Sequence, residues 1–211
     1  MARHVLVPAA RWSRWVDGFC SGRSGVALRV EDGVLRGTAS DGSWFRARLP
    51  FDRRYDGVPD AVAFAAAAAP PPPAWGVLLV RKGGFAVARL AGAGIEASKV
   101  GQRHVQGRTK AGGQSQQRFA RRRDNQAREA YEAAAGHAVR ILTGEGRVDV
   151  LVTGGDHAAV EAVLADPRLA PLTVVGPWLA VPDPRRSVLE QAVADACAIA
   201  VEVENAPPLR G

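Results

Sequence analysis

The apolar and polar positions along 26–30, 34–40 and 44–49 read as three strands of a meander. Asp32-Gly33 and Asp41-Gly42 sit between these runs, and such pairs suit tight hairpin turns. Ahead of the meander, Ala9 to Phe19 carries apolar residues at helical spacing. Ala65 to Ala69 followed by Pro70 to Pro73 is low in complexity and reads as a linker or exposed loop. Beyond it the pattern tightens. Trp75 to Val80 and Phe85 to Leu90 are apolar runs around Gly83-Gly84, a pair of strands, and Ile95 to Val105 alternates like a third strand with one wet face.

Gly107 to Gly113 has no apolar periodicity and three glycines, a loop, and Ser115 to Leu142 then reads as one long helix ended by Gly144. At about 100° per residue, Phe119, Ala130, Ala134 and Ile141 share one face of it, with Arg121 and Arg128 opposite. Val148 to Val152 and Leu172 to Val175 are expected as strands. Helices are expected over His157 to Leu164, capped by Asp156, and over Arg185 to Ala200. The fold class is therefore α/β: a mixed β-sheet with flanking helices, preceded by a small N-terminal β-rich extension. The division expected is an extension over 1–64, an Ala/Pro linker over 65–73 and a second domain over 74–211.

Composition narrows the classes. The chain has 211 residues, 47% of them hydrophobic, enough for a core without metal or disulfides. No apolar run approaches the roughly 20 residues of a membrane span, and Met1 to Trp15 carries four basic or histidine positions without an apolar stretch, unlike a secretory signal. With only Cys20 and Cys197, neither a disulfide framework nor a cysteine metal site is expected. No cofactor is implied, and a cytoplasmic protein is the expectation.

Charge changes the picture more. The net charge is +7, and residues 101–128 hold Arg103, Arg108, Lys110, Arg118, Arg121, Arg122, Arg123 and Arg128 against the single acid Asp124, an excess equal to that of the whole chain. A solvated helix face interleaves both signs, because like charges three or four residues apart oppose the helix. Concentrated arginine instead suits a polyanion, and its planar fork suits phosphate. Those eight residues are the expected RNA-binding set.

Within this segment lies Gly112-Gly113-Gln114. Alone, two glycines before a helix only permit a turn where a side chain would clash. The ordered run is more specific: Gly107-Arg108, then Gly112-Gly113-Gln114-Ser115, then Arg118-Phe119 and Arg121 to Arg123. It closely resembles the catalytic middle domain of the class I peptide release factors of eukaryotes and archaea, and the likeness extends from about Trp75 to the end. That resemblance implies an RNase H-like layer for the second domain. The 1–60 portion is too short for a codon-reading domain, no domain follows to recruit a GTPase, and the loop between Arg108 and Gly112 is longer than usual. The architecture looks most like the stand-alone release-factor-like peptidyl-tRNA hydrolases of ribosome rescue and quality control, actinobacterial type. The resemblance implies Gly112, Gly113 and Gln114 as catalytic residues, peptidyl-tRNA as substrate, and the ribosomal RNA of the large subunit as partner, without mRNA reading or a GTPase. Two other readings stay open: an endonuclease cutting the tRNA acceptor end with help from Arg118 or Arg122, and a non-catalytic ribosome- or RNA-binding module.

Other candidates carry less. Thr153-Gly154-Gly155-Asp156 opens a helix but lacks P-loop or dinucleotide spacing, so it reads as a strand-to-helix turn. His104 and His137 have no carboxylate partner in sequence, and Asp166, Asp183 and Asp195 have no metal-ligand pattern. Trp12, Trp15, Trp44, Trp75 and Trp178 are dispersed, as core or interface anchors are, rather than grouped as a base-stacking platform.

Overall fold

A computed structural model describes residues 2–102, 114–144, 146 and 148–207, with backbone alone described for 114–127. The chain forms two compact units, one of residues 1–71 with 193–211 and one of residues 72–192. It is a mixed α/β structure with one five-stranded sheet in each unit.

In the first unit, β1 (Arg3–Val7), β2 (Ala27–Glu31), β3 (Val34–Thr38), β4 (Trp44–Arg48) and β10 (Ile199–Glu204) pair antiparallel in the order β1-β10-β4-β3-β2. Helix α1 (Ala9–Cys20) buries Trp12, Val16 and Phe19, four and three residues apart, and α2 (Ala61–Ala68) buries Phe64 and Ala68. Together with Leu35, Phe45, Ala47, Ile199 and Val201 these make one core on one face of the sheet. Trp12 is fully buried, stacked on Trp15 at 5.3 Å between ring centroids and edge-on to Phe45 at 5.8 Å. Both central residues of the β2–β3 turn are left-handed, Asp32 at φ 53° and Gly33 at φ 77°, which is what a tight hairpin on twisted strands requires.

Two stretches depart from the sequence reading. The last helix ends at Ala196, not Ala200, and the chain re-emerges as β10 between β1 and β4. Ile199 and Val201 face the core while Glu202 and Glu204 do not, a period-two pattern that the apolar run Ala196–Ala200 obscures. The end of the 74–211 segment thus belongs with the first sheet. The alanine run is also not all linker. Asp60 caps α2, its carboxylate accepting from Ala63 N at 2.8 Å, and Arg53 donates to Ala68 O at 2.6 Å beyond the other end. Asp60→Ala removes that cap, with an expected loss of about 1 kcal/mol in urea unfolding; no loss would show that the cap is idle.

The second unit holds β5 (Ala74–Arg81), β6 (Gly84–Ala91), β7 (Gly94–Gln102), β8 (Val150–Gly155) and β9 (Thr173–Leu179) in the order β7-β6-β5-β8-β9. The β7-β6-β5 half is antiparallel and β5-β8-β9 is parallel. Trp75 to Val80 are buried in succession, the signature of a central strand covered on both faces. Helices α3 (Gln114–Thr143) and α4 (His157–Leu164) cover one face, on Leu78, Val80, Val87 and Leu151. Helix α5 (Arg186–Ala196) starts in this unit and ends in the other. Among the described side chains of α3, the buried ones are Ala134, Ala135, Ala138 and Leu142. Ala130 and Ile141 are only partly buried, so the stripe is rotated by about a quarter turn from the expected one. In an alanine-rich helix that touches both β6 and α4, side-chain type hardly marks which face goes in.

Candidate functional site

Strand registers bring four chain segments to one end of the second sheet. Arg81 pairs with Gly84, Gly84 with Gln102, and Val80 with Gly155, so β5 ends, β6 begins, and β7 and β8 end side by side. From this edge the chain leaves β7 at Gln102, and the described chain resumes at Gln114, the first residue of α3. Gly112, Gly113, Arg103, Arg108 and Lys110, together with His104, lie outside the described residues. Arg118, Arg121, Arg122 and Arg123 have helical backbone in the first half of α3, with their side chains outside the description. Arg128 is described and exposed, its Nε 3.8 Å from Glu132 Oε1, a solvated pair of little energetic weight.

Helix geometry relates this end to the core. Gln114 and the first buried residue of α3 with a described side chain, Ala134, are about 30 Å apart along the axis, at 1.5 Å per residue. The first turn of an α-helix holds backbone N–H groups without intrahelical partners and a partial positive charge, so Gln114 sits where a developing anion is favoured. At this end of the sheet, Val80, Lys82, Phe85, Gln102, Tyr131 and Ala134 line a cavity of about 270 Å³.

Arginine and lysine at this edge divide into tied and free. Arg81 donates to Val181 O at 2.7 Å, and its guanidinium lies 3.6 Å from Asp156 and 3.8 Å from Asp183. Lys82 beside it is exposed. These two residues were not among the expected ones. Lys82-Gly83-Gly84 is visible in the sequence as a turn, but its place opposite Gln102 follows from strand pairing, which composition does not encode.

The Thr153-Gly154-Gly155-Asp156 turn is a packing device. A Cβ on Gly154 would collide with Leu179 O and one on Gly155 with Val80 O, and Gly155 has φ 104°. Asp156 precedes α4 with its carbonyl accepting from Ala159 N and Val160 N, but its carboxylate bonds none of the helix N–H groups, accepting instead from Lys82 N at 3.4 Å. A carboxylate already occupies this turn, which disfavours phosphate there.

His137 is a half-buried helix residue, stacked on Phe85 at 5.4 Å, and Arg140 Nη2 donates to its Nδ1 at 2.7 Å. Accepting that bond requires a neutral ring nitrogen. Burial, then Arg140 and Lys99, push its pKa below 6.5. The unfolded chain therefore takes up the proton first, so stability is full above 6.5 and declines as pH falls through that value toward the lower folded pKa. The thermal midpoint of the wild type is expected to fall more steeply on acidification than that of His137→Gln. Parallel curves would remove this histidine from the pH response.

Among the described residues, no group of three or more His, Cys, Asp or Glu is placed to hold a metal, and no helix is long and apolar enough to cross a membrane. The family model described as acVLRF1, Actinobacteria/chloroflexi VLRF1 release factor, matches residues 73–202. No curated protein matches the chain. Similar solved structures include one titled only as an archaeal protein, at 14% identity over 91% of this chain and 73% of that one, with a TM-score of 0.35. Another is the archaeal translation termination factor aRF1, at 14% identity over 79% of this chain and TM-score 0.31; the match spans 50% of that factor. A third is Pelota of Archaeoglobus fulgidus, at 11% identity over 92% of this chain and 62% of that one, with a TM-score of 0.28.

Proposed function

The chain belongs to the actinobacterial and chloroflexi VLRF1 release-factor family, and from that premise we propose that it is a ribosome-dependent peptidyl-tRNA hydrolase, freeing nascent chains from stalled large subunits without reading mRNA. The observation that carries the reading is Gln114, preceded by Gly112-Gly113, as the first residue of a 30-residue helix with arginine concentrated in its first half.

The reaction asks little of the protein as an acid or base. Water attacks the ester carbonyl carbon, the bond from that carbon to the tRNA 3′ oxygen breaks, and the products are a peptide carboxyl group and a free 3′ hydroxyl. The barrier falls when one water is held in line and the oxyanion meets donors already aimed at it. The Gln114 amide is a neutral donor and acceptor, so it holds water without changing its own protonation. Its backbone N–H belongs to the first helical turn and suits the developing negative charge. Gly112 and Gly113 bring no side chain, which lets the backbone approach RNA closely. Arg103, Arg108, Lys110, Arg118, Arg121, Arg122, Arg123 and Arg128 serve phosphate contacts, which position the protein without selecting a sequence. Ribosomal RNA completes the site.

The test is peptide release from purified obstructed large subunits, with the tRNA 3′ end sequenced. An intact CCA end together with freed peptide is expected. A truncated end would replace hydrolysis with phosphodiester cleavage at the acceptor stem, and subunit binding without any release would leave a non-catalytic binding module.

A further inference from the structure

The first unit carries a row of arginines of its own, outside residues 101–128 of the sequence. Strand registers align Arg29 with Arg36, Arg36 with Arg46, Arg46 with Glu202, and Glu202 with His4, one row across all five strands of the sheet. Side chains opposite one another in a sheet share a face, and the neighbours of this row on β3 and β4, Leu35, Phe45 and Ala47, are fully buried. The row therefore lies on the face away from the α1–α2 core. Three arginines in direct cross-strand succession stand about 5 Å apart and repel one another, an arrangement that costs stability in the free protein.

The acids nearby do not cancel it. Arg36 Nε lies 3.2 Å from Glu31 Oε2 and Arg46 Nη1 lies 4.0 Å from Glu202 Oε2. Even so, the Nε atoms of Arg36 and Arg46 are buried without an aligned hydrogen-bond acceptor among the described residues. Arg29 and Arg48 are exposed and have no acid partner there. Unit-wide charge is nearly balanced, so what distinguishes this face is partial segregation: Arg29, Arg36, Arg46 and Arg48 on β2, β3 and β4, with Glu31 at the end of β2, and Glu202 and Glu204 on β10. Next along β4 stands Trp44, partly exposed, which lines a cavity of about 400 Å³ with Arg36, Thr38, Ser43 and Arg46.

From this juxtaposition we infer that the open face of the first sheet binds single-stranded RNA, its phosphates on Arg29, Arg36 and Arg46 and a base against the Trp44 ring. Guanidinium forks match phosphate oxygens two at a time, and an aromatic ring on a sheet takes an unstacked base of any identity. The glutamates of β10 border the track on one side and Glu31 ends it on β2, which confines a polyanion to the row of arginines. The inference does not rest on peptidyl-tRNA hydrolysis; it gives the protein a second hold on RNA.

The probe is a labelled single-stranded RNA, with an RNA duplex beside it, titrated with the full chain between about 50 and 200 mM salt. For the triple variant Arg29→Gln, Arg36→Gln, Arg46→Gln, the slope of log affinity against log salt is expected to fall by about 2, at roughly 0.7 per lost phosphate contact on a single strand. The matching triple lysine variant keeps most of the slope. Trp44→Ala is expected to weaken the single strand about tenfold and the duplex hardly at all. Should the triple variant fail to fold, Arg29→Gln alone, at an exposed position, lowers the slope by about 0.7. An unchanged slope in a folded variant overturns the inference, as does weakened subunit binding with RNA binding intact, which would assign the face to an acidic protein. Gln114→Ala leaves this slope untouched, so failure here and failure of the hydrolase reading are read separately.

Discussion

Gln114→Ala is expected to slow peptide release from obstructed large subunits by about 10²- to 10³-fold while leaving subunit affinity within about twofold, the scale on which removal of one preorganised donor acts. The reasoning runs through the transition state. Alanine keeps the helix start, its backbone N–H and its partial positive charge, so the loss isolates the side-chain amide. That amide makes contacts that count only while water is attacking, so kcat falls and binding, carried by arginine on phosphate, does not. Gln114→Glu is a sharper control. A carboxylate at the first turn suits the helix, yet it sets a negative charge beside a developing oxyanion, and release should fall at least as far. Release by Gln114→Ala within threefold of wild type would end the proposed role of this residue.

Trp12→Ala is expected to destabilise the first unit by about 3–5 kcal/mol in urea unfolding, among the largest costs a single substitution brings. Trp12 is fully buried, stacked on Trp15, and in ring contact with Phe45 at 5.8 Å and Phe64 at 5.4 Å. Those partners come from α1, β4 and α2, so the cavity lies where three elements meet and none can move in without disturbing another. Trp12→Phe should cost much less, and for a specific reason. Trp12 Nε1 is buried with no hydrogen-bond partner among the described residues, so the phenyl ring gives up area but no bond. Amide exchange separates this from a global effect: protection should drop in β1, β4 and β10 and persist in β5 and β8. A cost under about 1 kcal/mol, or equal loss in both sheets, would contradict the assignment of Trp12 to the centre of one unit's core.

Local pattern carried much of this architecture. The two hairpins of the first sheet were legible because aspartate-glycine pairs at the right spacing leave few alternatives to a tight turn. Helix α4 was read to its ends, and β5 was legible as a continuous apolar run. Strands β1 and β10 were not. Each is short and pairs with the other from the opposite end of the chain, so nothing within a local window marks either. The alanine run before Pro70 looked like a linker because alanine has no polar contrast; Asp60 and Arg53 at its ends make it a helix. For the candidate site, the long helix and the place of Gly112-Gly113-Gln114 ahead of it came from local order, whereas Lys82 opposite the end of β7 required the register of β5, β6 and β7.

By itself, then, the amino-acid order determined the kinds of element, the concentration of positive charge in 101–128, and the tripeptide at the mouth of a long helix, because turn chemistry, periodicity and charge act over a few residues. Only the tertiary structure decided that the C-terminal strand closes the first sheet, that the buried stripe of α3 is rotated from its expected face, and that arginines from three separate strands stand in one row. Those outcomes depend on contacts between residues far apart in the chain, where the gain from burying a common surface, rather than any local preference, selects the pairing.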